Sequence, residues 1–191
     1  MESFIRIYDK ALPASWCRNI IDKFDADDMY HTYGMVSSPN GEIVDSQNKQ
    51  TTEIHVSDHK DWGYIDDILY KNLSYYFDIY TSDLGDIFTC SASKINDQPY
   101  RVKKYDTGCG FNWHIDTSSI NNRGRWIAAQ WYFNTVYQGG ETEFMNCGTA
   151  IRPVAGRLVF FPATWTYMHR SVPVYSGPKY ICSTFFSPCW D

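Results

Sequence analysis

The sequence predicts an α+β fold, mainly β, in which helices from the first half back a sandwich or jelly roll built by the second half. Three observations carry that expectation. Apolar residues recur at helical spacing only before Gly85, in two stretches. Beyond Gly85 the chain becomes short runs with strand character, divided by Gly, Pro, Asn and Asp. Aromatic residues make up 17% of the chain, with 15 Tyr, 11 Phe and 7 Trp, and such side chains suit pleated, half-buried surfaces. With 191 residues, 43% of them hydrophobic, there is room for one large core. No repeat or linker interrupts it. One domain over 1–191 is therefore expected, with a helical and loop part to about residue 86 and the jelly-roll core at about 87–188.

Phe4-Ile5-Arg6-Ile7-Tyr8 alternates and reads as an opening strand. A helix is expected from Pro13, because proline suits a first turn and Trp16, Ile20, Ile21 and Phe24 share a helical face. Asp25-Ala26-Asp27-Asp28 should end it, since acidic residues oppose the dipole at a helix C-terminus. From Thr32 to Gln50 the chain is polar and poor in large apolar residues. Connections this long are uncommon unless functional or disordered, so the stretch is a surface loop or a lid, with a short hairpin around Pro39-Asn40-Gly41. Thr51–Val56 reads as a strand. A long helix follows from Asp61 to about Asp83, striped by Trp62, Ile65, Ile68, Leu69, Leu73, Tyr76, Phe77 and Tyr80. The expected strands after it are Ile87–Ile95, Tyr100–Tyr105, Phe111–Ile115, Trp126–Phe133, Thr142–Phe144, Thr149–Arg152, Arg157–Phe161, Tyr167–Ser171 and Lys179–Phe186.

The formal net charge is −5 and no basic tract occurs, which argues against a nucleic-acid backbone as partner. No apolar run approaches membrane-spanning length, and Met1–Arg6 lacks a signal pattern, so a cytoplasmic protein is expected. The six cysteines show no CxxC spacing and read as free thiols of a reducing compartment. Oligomeric state is left open.

The stretch Tyr105–Asp116 ends in His114-Ile115-Asp116. In an extended strand, side chains two apart share a face, so this imidazole and carboxylate are placed to take two corners of one metal. The same pair alone is also an ordinary surface or hydrogen-bonding pair. His169 is the histidine beyond this stretch, and two His with one carboxylate form the ligand set of non-haem Fe(II) oxygenases. His31, His55 and His59 read as solvent-exposed or loop-bonding. Glu141 and Glu143 read as structural, and Gly108 and Gly110 as permitting a sharp turn before the ligand strand.

Four blocks then follow in order. They are Tyr105 with its glycine-containing turn and His114-Ile115-Asp116; Trp131-Tyr132-Phe133-Asn134; Gly139-Gly140-Glu141-Thr142-Glu143-Phe144; and His169-x3-Pro173-Val174-x2-Gly177-x-Lys179. In these blocks the segment from about Pro99 to Phe186 resembles the prolyl 4-hydroxylase-like branch of the Fe(II)/2-oxoglutarate-dependent oxygenases. The resemblance implies a double-stranded β-helix (jelly roll) backed by the N-terminal helices. It implies His114, Asp116 and His169 as iron ligands, and Lys179 as partner of the distal carboxylate of 2-oxoglutarate. The cosubstrates implied are 2-oxoglutarate and O2, with allowance for ascorbate. Period two puts Ser183 on the face of Lys179, so Ser183 is expected to donate a second hydrogen bond to that carboxylate and Tyr105 a third. Loss of Lys179 should then cost ~2–5 kcal/mol, at least a tenfold loss in cosubstrate affinity. Phe185 stands where many relatives carry Trp, a change that bears on packing.

The activity implied is hydroxylation of an unactivated C–H bond with release of succinate and CO2, most simply on a prolyl residue of a peptide or protein. Trp113, Trp131, Tyr132 and Trp165 are candidates to line a groove for an extended chain, with Arg101 and Lys103 near its rim; they are equally candidates for the core. The alternatives are a free amino acid or other small metabolite, and, in a different class, a non-catalytic jelly roll that binds a ligand. A cupin-type site would want His-x-His, which this sequence lacks.

Overall fold

A computed structural model describes residues 3–38, 41–85, 94–117 and 122–189. β1 (Arg6–Tyr8) precedes α1 (Ala14–Ala26). Pro13 sits at the N-cap rather than inside the first turn, and its carbonyl accepts from the backbone N–H groups of Trp16 and Cys17. Cys17, Ile20 and Phe24 form the buried stripe, and the helix ends at Ala26, within the expected acidic run. β2 (Thr32–Tyr33) leads into β3 (Met35–Ser38) and β4 (Gly41–Val44), which pair antiparallel from Met35↔Val44 to Ser38↔Gly41. The polar stretch thus holds the expected hairpin, whose Pro39 and Asn40 lie outside the described residues.

After β5 (Thr52–His55), α2 runs Gly63–Leu84. It begins two residues later than the stripe indicates, because Lys60–Trp62 close a separate 3-10 turn. It stops at Gly85, whose φ of +58° suits glycine. The strand expected at Ile87–Ile95 falls mostly outside the described residues; β6 (Lys94–Asp97) overlaps its end. β7 (Arg101–Tyr105), β8 (Phe111–His114), β9 (Ile127–Tyr132), β10 (Thr142–Phe144), β11 (Thr149–Ile151), β12 (Arg157–Pro162), β13 (His169–Ser171) and β14 (Lys179–Cys189) follow. β13 is shorter than expected, since Trp165–Tyr167 turn as a 3-10 segment.

From β7 onward the chain alternates between two sheets. The larger runs β1-β12-β9-β14-β7-β5-β2, with β6 also on β14, and the smaller runs β11-β10-β13-β8. That alternation, with every pairing antiparallel, makes the double-stranded β-helix.

The larger sheet is buried on both faces, so period two sorts its side chains into two cores. Outward, Val102, Trp131, Leu158, Phe160, Tyr180 and Cys182 meet Ile20 and Phe24 of α1 and Ile65, Leu69 and Leu73 of α2. Burying each such Leu or Ile contributes about 1.5–3 kcal/mol. Inward, Tyr105, Ala128, Tyr132, Val159, Phe161 and Ile181 pack with Phe144 and Ile151 of the smaller sheet. The helices thus brace the larger sheet from outside, leaving the space between the sheets to the site.

Candidate active site

His114 ends β8 and His169 begins β13, and the two stand opposite each other in the antiparallel register. Their ring centroids are 4.3 Å apart. Asp116 is not on the strand: β8 stops at His114, and the carboxylate comes from the turn that follows. The three still converge, with one ligand atom from each within 4.8 Å of the others. Asp116 Oδ1 lies 3.8 Å from His114 Nε2, and Asp116 Oδ2 lies 3.7 Å from His169 Nε2.

The backbone sets the tautomers. His114 Nδ1 is 2.8 Å from the Asn112 carbonyl and His169 Nδ1 is 3.0 Å from the Tyr167 carbonyl. A carbonyl only accepts, so each Nδ1 carries the hydrogen and each Nε2 turns its lone pair toward Asp116, the orientation metal-binding histidines adopt. His114 stacks on Phe111 at 3.6 Å, and His169 sits against Phe161 and Phe144. Burial, then the adjacent His169, hold the His114 imidazole well below its usual pKa, which keeps it neutral. Asp116 Oδ2 is buried with no hydrogen-bond partner among the described residues. An orphaned carboxylate oxygen facing two imidazole lone pairs fits a cation, and the donor set fits Fe(II).

Deeper in the same cavity lies Lys179, with 0% of its surface exposed. Its ammonium donates to the Gly140 carbonyl at 2.9 Å and to the Ser171 hydroxyl, and lies 4.3 Å from the Tyr105 ring centroid. No carboxylate of the described residues forms an ion pair with it. Burial draws the ammonium down to about 7, against the pull of Glu141. A buried cation without a counter-charge is costly unless an anion arrives. The cavity therefore fits a dicarboxylic acid with one end at the triad and the other at Lys179.

Tyr105 is the cross-strand partner of Lys179, and its ring lies beside the ammonium in the same cavity that Ser171 lines. Ser183 lines the cavity, but it stands four residues beyond Lys179 along β14, opposite Arg101. Its hydroxyl is buried without a partner among the described residues. The hydroxyl that the Lys179 ammonium reaches is that of Ser171, a residue the sequence did not single out. Its place two residues after His169 was the available signal, by period two.

Of the aromatics considered for a groove, Trp113 alone lines the outer cleft. Trp131 faces the helices, where its indole N–H donates to Asn72 at 2.8 Å; Tyr132 is fully buried inward; Trp165 is 72% exposed and outside the cleft. Strand alternation explains the first two. The cleft, of about 330 Å³, is walled by Met35, Val36 and Glu42 of the hairpin and by Lys49, Arg101, Lys103 and Arg125. The hairpin is tied down by Lys49, which is buried against Glu53 at 2.6 Å and donates to the Met35 carbonyl at 3.2 Å. His31 and His59 stack on Phe24 and Tyr30, His55 faces Asp58, and Glu143 pairs with Arg170 at 2.7 Å; none of the four joins the His114, Asp116 and His169 cluster. Phe185 lines the cavity beneath the Arg125 guanidinium, 3.8 Å away.

Residues 100–187 match the family model of the 2OG-Fe(II) oxygenase superfamily. Among curated proteins none matches significantly. Solved structures share the fold. A prolyl hydroxylase from Trichoplax adhaerens, in complex with a hypoxia inducible factor oxygen degradation domain peptide fragment, superposes with a TM-score of 0.78 at 16% identity, over 97% of this chain and 84% of that one. A Pseudomonas putida prolyl-4-hydroxylase gives 0.69 at 17% identity, over 97% and 93%. The viral collagen prolyl hydroxylase of Paramecium Bursaria Chlorella virus-1, in its 2OG complex, gives 0.66 at 18%, over 98% and 97%. No helix of the described residues is long and apolar enough to cross a membrane. Residues 100–187 thus carry a 2OG-Fe(II) oxygenase domain in a chain with a prolyl 4-hydroxylase-like fold, and the two together support a 2-oxoglutarate-dependent dioxygenase.

Proposed function

We propose that the chain is one oxygenase domain that hydroxylates a prolyl residue of a peptide or protein, with Fe(II) held by His114, Asp116 and His169. Lys179 neutralises the distal carboxylate of 2-oxoglutarate, assisted by the hydroxyls of Tyr105 and Ser171. Ser183 is available nearer the mouth to a carboxylate or keto oxygen. When bound, iron and cosubstrate supply the oxidising power: O2 is reduced as the keto acid is decarboxylated to succinate and CO2, one oxygen atom entering succinate and the other the substrate C–H bond. Ascorbate enters only as an auxiliary reductant that keeps the iron ferrous.

The protein's own part is geometry and dryness. Two backbone carbonyls aim the imidazoles, and Phe111, Phe144 and Phe161 keep water from the ligand side of the metal. The prolyl peptide would lie in the outer cleft, between the hairpin and Trp113. A free amino acid or other small metabolite is the second reading, favoured by the tethered hairpin that overhangs the cleft. A non-catalytic binding jelly roll gives no reason for an uncompensated ammonium below a two-histidine carboxylate cluster.

The observation that carries the reading is the single cavity that joins the triad to Lys179. Anaerobic addition of Fe(II) and 2-oxoglutarate should give a weak visible charge-transfer band. Admission of O2 should then bleach it with succinate formation, and proline-containing peptides should gain the mass of one oxygen. Colourless, iron-free protein under these conditions overturns the reading.

A further inference from the structure

The outer cleft is lined by positive charge that the site as described does not use. Arg101, Lys103 and Tyr105 share the inward face of β7, and the register sets Lys103 opposite Ile181 and Arg101 opposite Ser183. From the Lys179–Tyr105 pair the strand therefore climbs toward the opening in steps of about 6.6 Å, first with an ammonium and then with a guanidinium. Lys103 lines both the inner cavity and the outer cleft; Arg101, Lys49 and Arg125 line the cleft.

Negative partners fall short of this number. Glu53 faces Lys103 across β5 and β7 but is already closed on Lys49 at 2.6 Å and Thr51 at 2.8 Å, so one carboxylate serves two ammonium groups. Arg125 gives its donors to neutral acceptors, the Gln98 side chain and the Asp116 carbonyl. Arg101 and Lys103 close no ion pair with a carboxylate of the described residues. Among the described residues Glu42 is the one other acid on the cleft wall besides Asp116, which faces the two imidazoles. The local excess runs against the net charge of −5 of the whole chain. Burial, then Lys49, draw the Lys103 ammonium down to about 8, as befits a cation short of counter-charge.

We propose that the substrate carries a carboxylate a few bonds from the oxidised carbon, and that Arg101 and Lys103 receive it. The inference rests on the oxygenase reading for the location of the reacting carbon. The carboxylate is either an Asp or Glu beside the target residue of a peptide or the carboxylate of a free amino acid; both present the same group to the same wall. Half-buried cations gain from such an anion, whereas a neutral neighbour leaves them unpaired and a basic one repels them.

Binding tests this without turnover. Protein with Mn(II) and N-oxalylglycine is titrated, by tryptophan fluorescence and calorimetry, with proline peptides flanked by Asp or Glu against the same peptides with Asn or Gln. L-proline is set against L-prolinamide in parallel. In one of the two sets the acid should bind about tenfold tighter than its isostere, with the preference shrinking as salt rises. The set that shows it identifies the source of the carboxylate. The preference should fall below about threefold in Arg101→Gln and in Lys103→Met, and persist in Lys103→Arg. If Lys103→Met does not fold, Arg101→Gln at the rim decides. Equal binding of acid and isostere in both sets, no binding by any acid, or a preference untouched by Arg101→Gln overturns the proposal. Failure of the oxygenase reading shows separately, as absence of the charge-transfer band, and the isostere comparison is then made on the metal-free protein.

Discussion

His114 and His169 are cross-strand partners: the last residue of β8 faces the first of β13, and both imidazoles turn Nε2 to the same carboxylate. A metal held there ties the two strands together along with the turn that carries Asp116. Any cation bound to the folded form and not the unfolded form adds stability by mass action, about 2.7 kcal/mol at a hundredfold excess over its Kd. Mn(II) should therefore raise the melting temperature of the wild type and chelation should reverse it. His169→Ala and Asp116→Asn should abolish the increment.

Lys179→Met should separate stability from cosubstrate binding. The substitution removes a buried charge with no ion-pair partner, so the ligand-free protein should unfold at an equal or higher denaturant concentration. It should also weaken 2-oxoglutarate by ~2–5 kcal/mol, read from the concentration dependence of the charge-transfer band. Undiminished affinity would remove Lys179 from the site.

The same lysine makes cosubstrate binding pH-dependent. Its folded-state pKa of about 7 lies below the ordinary 10.5, so between these values the unfolded chain holds a proton that the ligand-free fold has released. Stability of the ligand-free protein should thus rise with pH across that window; below it the penalty from this group is complete and independent of pH, and above it the penalty is gone. A bound carboxylate restores the proton. Calorimetry in buffers of different ionisation enthalpy should find uptake of about one proton near pH 9 and almost none near pH 6.

Glu53 should govern acid stability. Burial raises its carboxyl, but Lys103 and then Lys49 outweigh burial and hold it at about 2, below the ordinary 4.5. Its contribution is therefore complete above pH 4.5 and lost as pH falls through 2. Glu53→Gln should flatten the pH dependence of urea unfolding in that range and cost ~3–5 kcal/mol at neutral pH, since it leaves Lys49 and Lys103 without their shared carboxylate.

Gly110 is needed for closeness rather than for an unusual φ. A Cβ there would stand 2.7 Å from the Ser171 carbonyl oxygen on β13. Gly110→Ala should push β8 from β13, costing about 1–3 kcal/mol in chemical denaturation and weakening metal binding with it.

Local periodicity was enough for the helical stripes of α1 and α2, for most strands from β7 on, and for the hairpin within 32–50, because each depends on neighbours a few residues apart. The four ordered blocks likewise pointed to His114, Asp116 and His169, whose ligand atoms the fold brings within 4.8 Å of one another, and to Lys179, which lines the same cavity. The rest belongs to tertiary structure. Sheet register, set by packing of the whole β-helix, decided that His169 meets His114, that Ser171 reaches the Lys179 ammonium, and that Trp131 faces the helices. Arg101 and Lys103 share a face of β7 by period two, but Lys49 and Arg125 come from separate stretches, and no local pattern could have placed them on the same wall. Sequence spacing encodes which face a side chain takes; only the closed sheets determine what lies across from it.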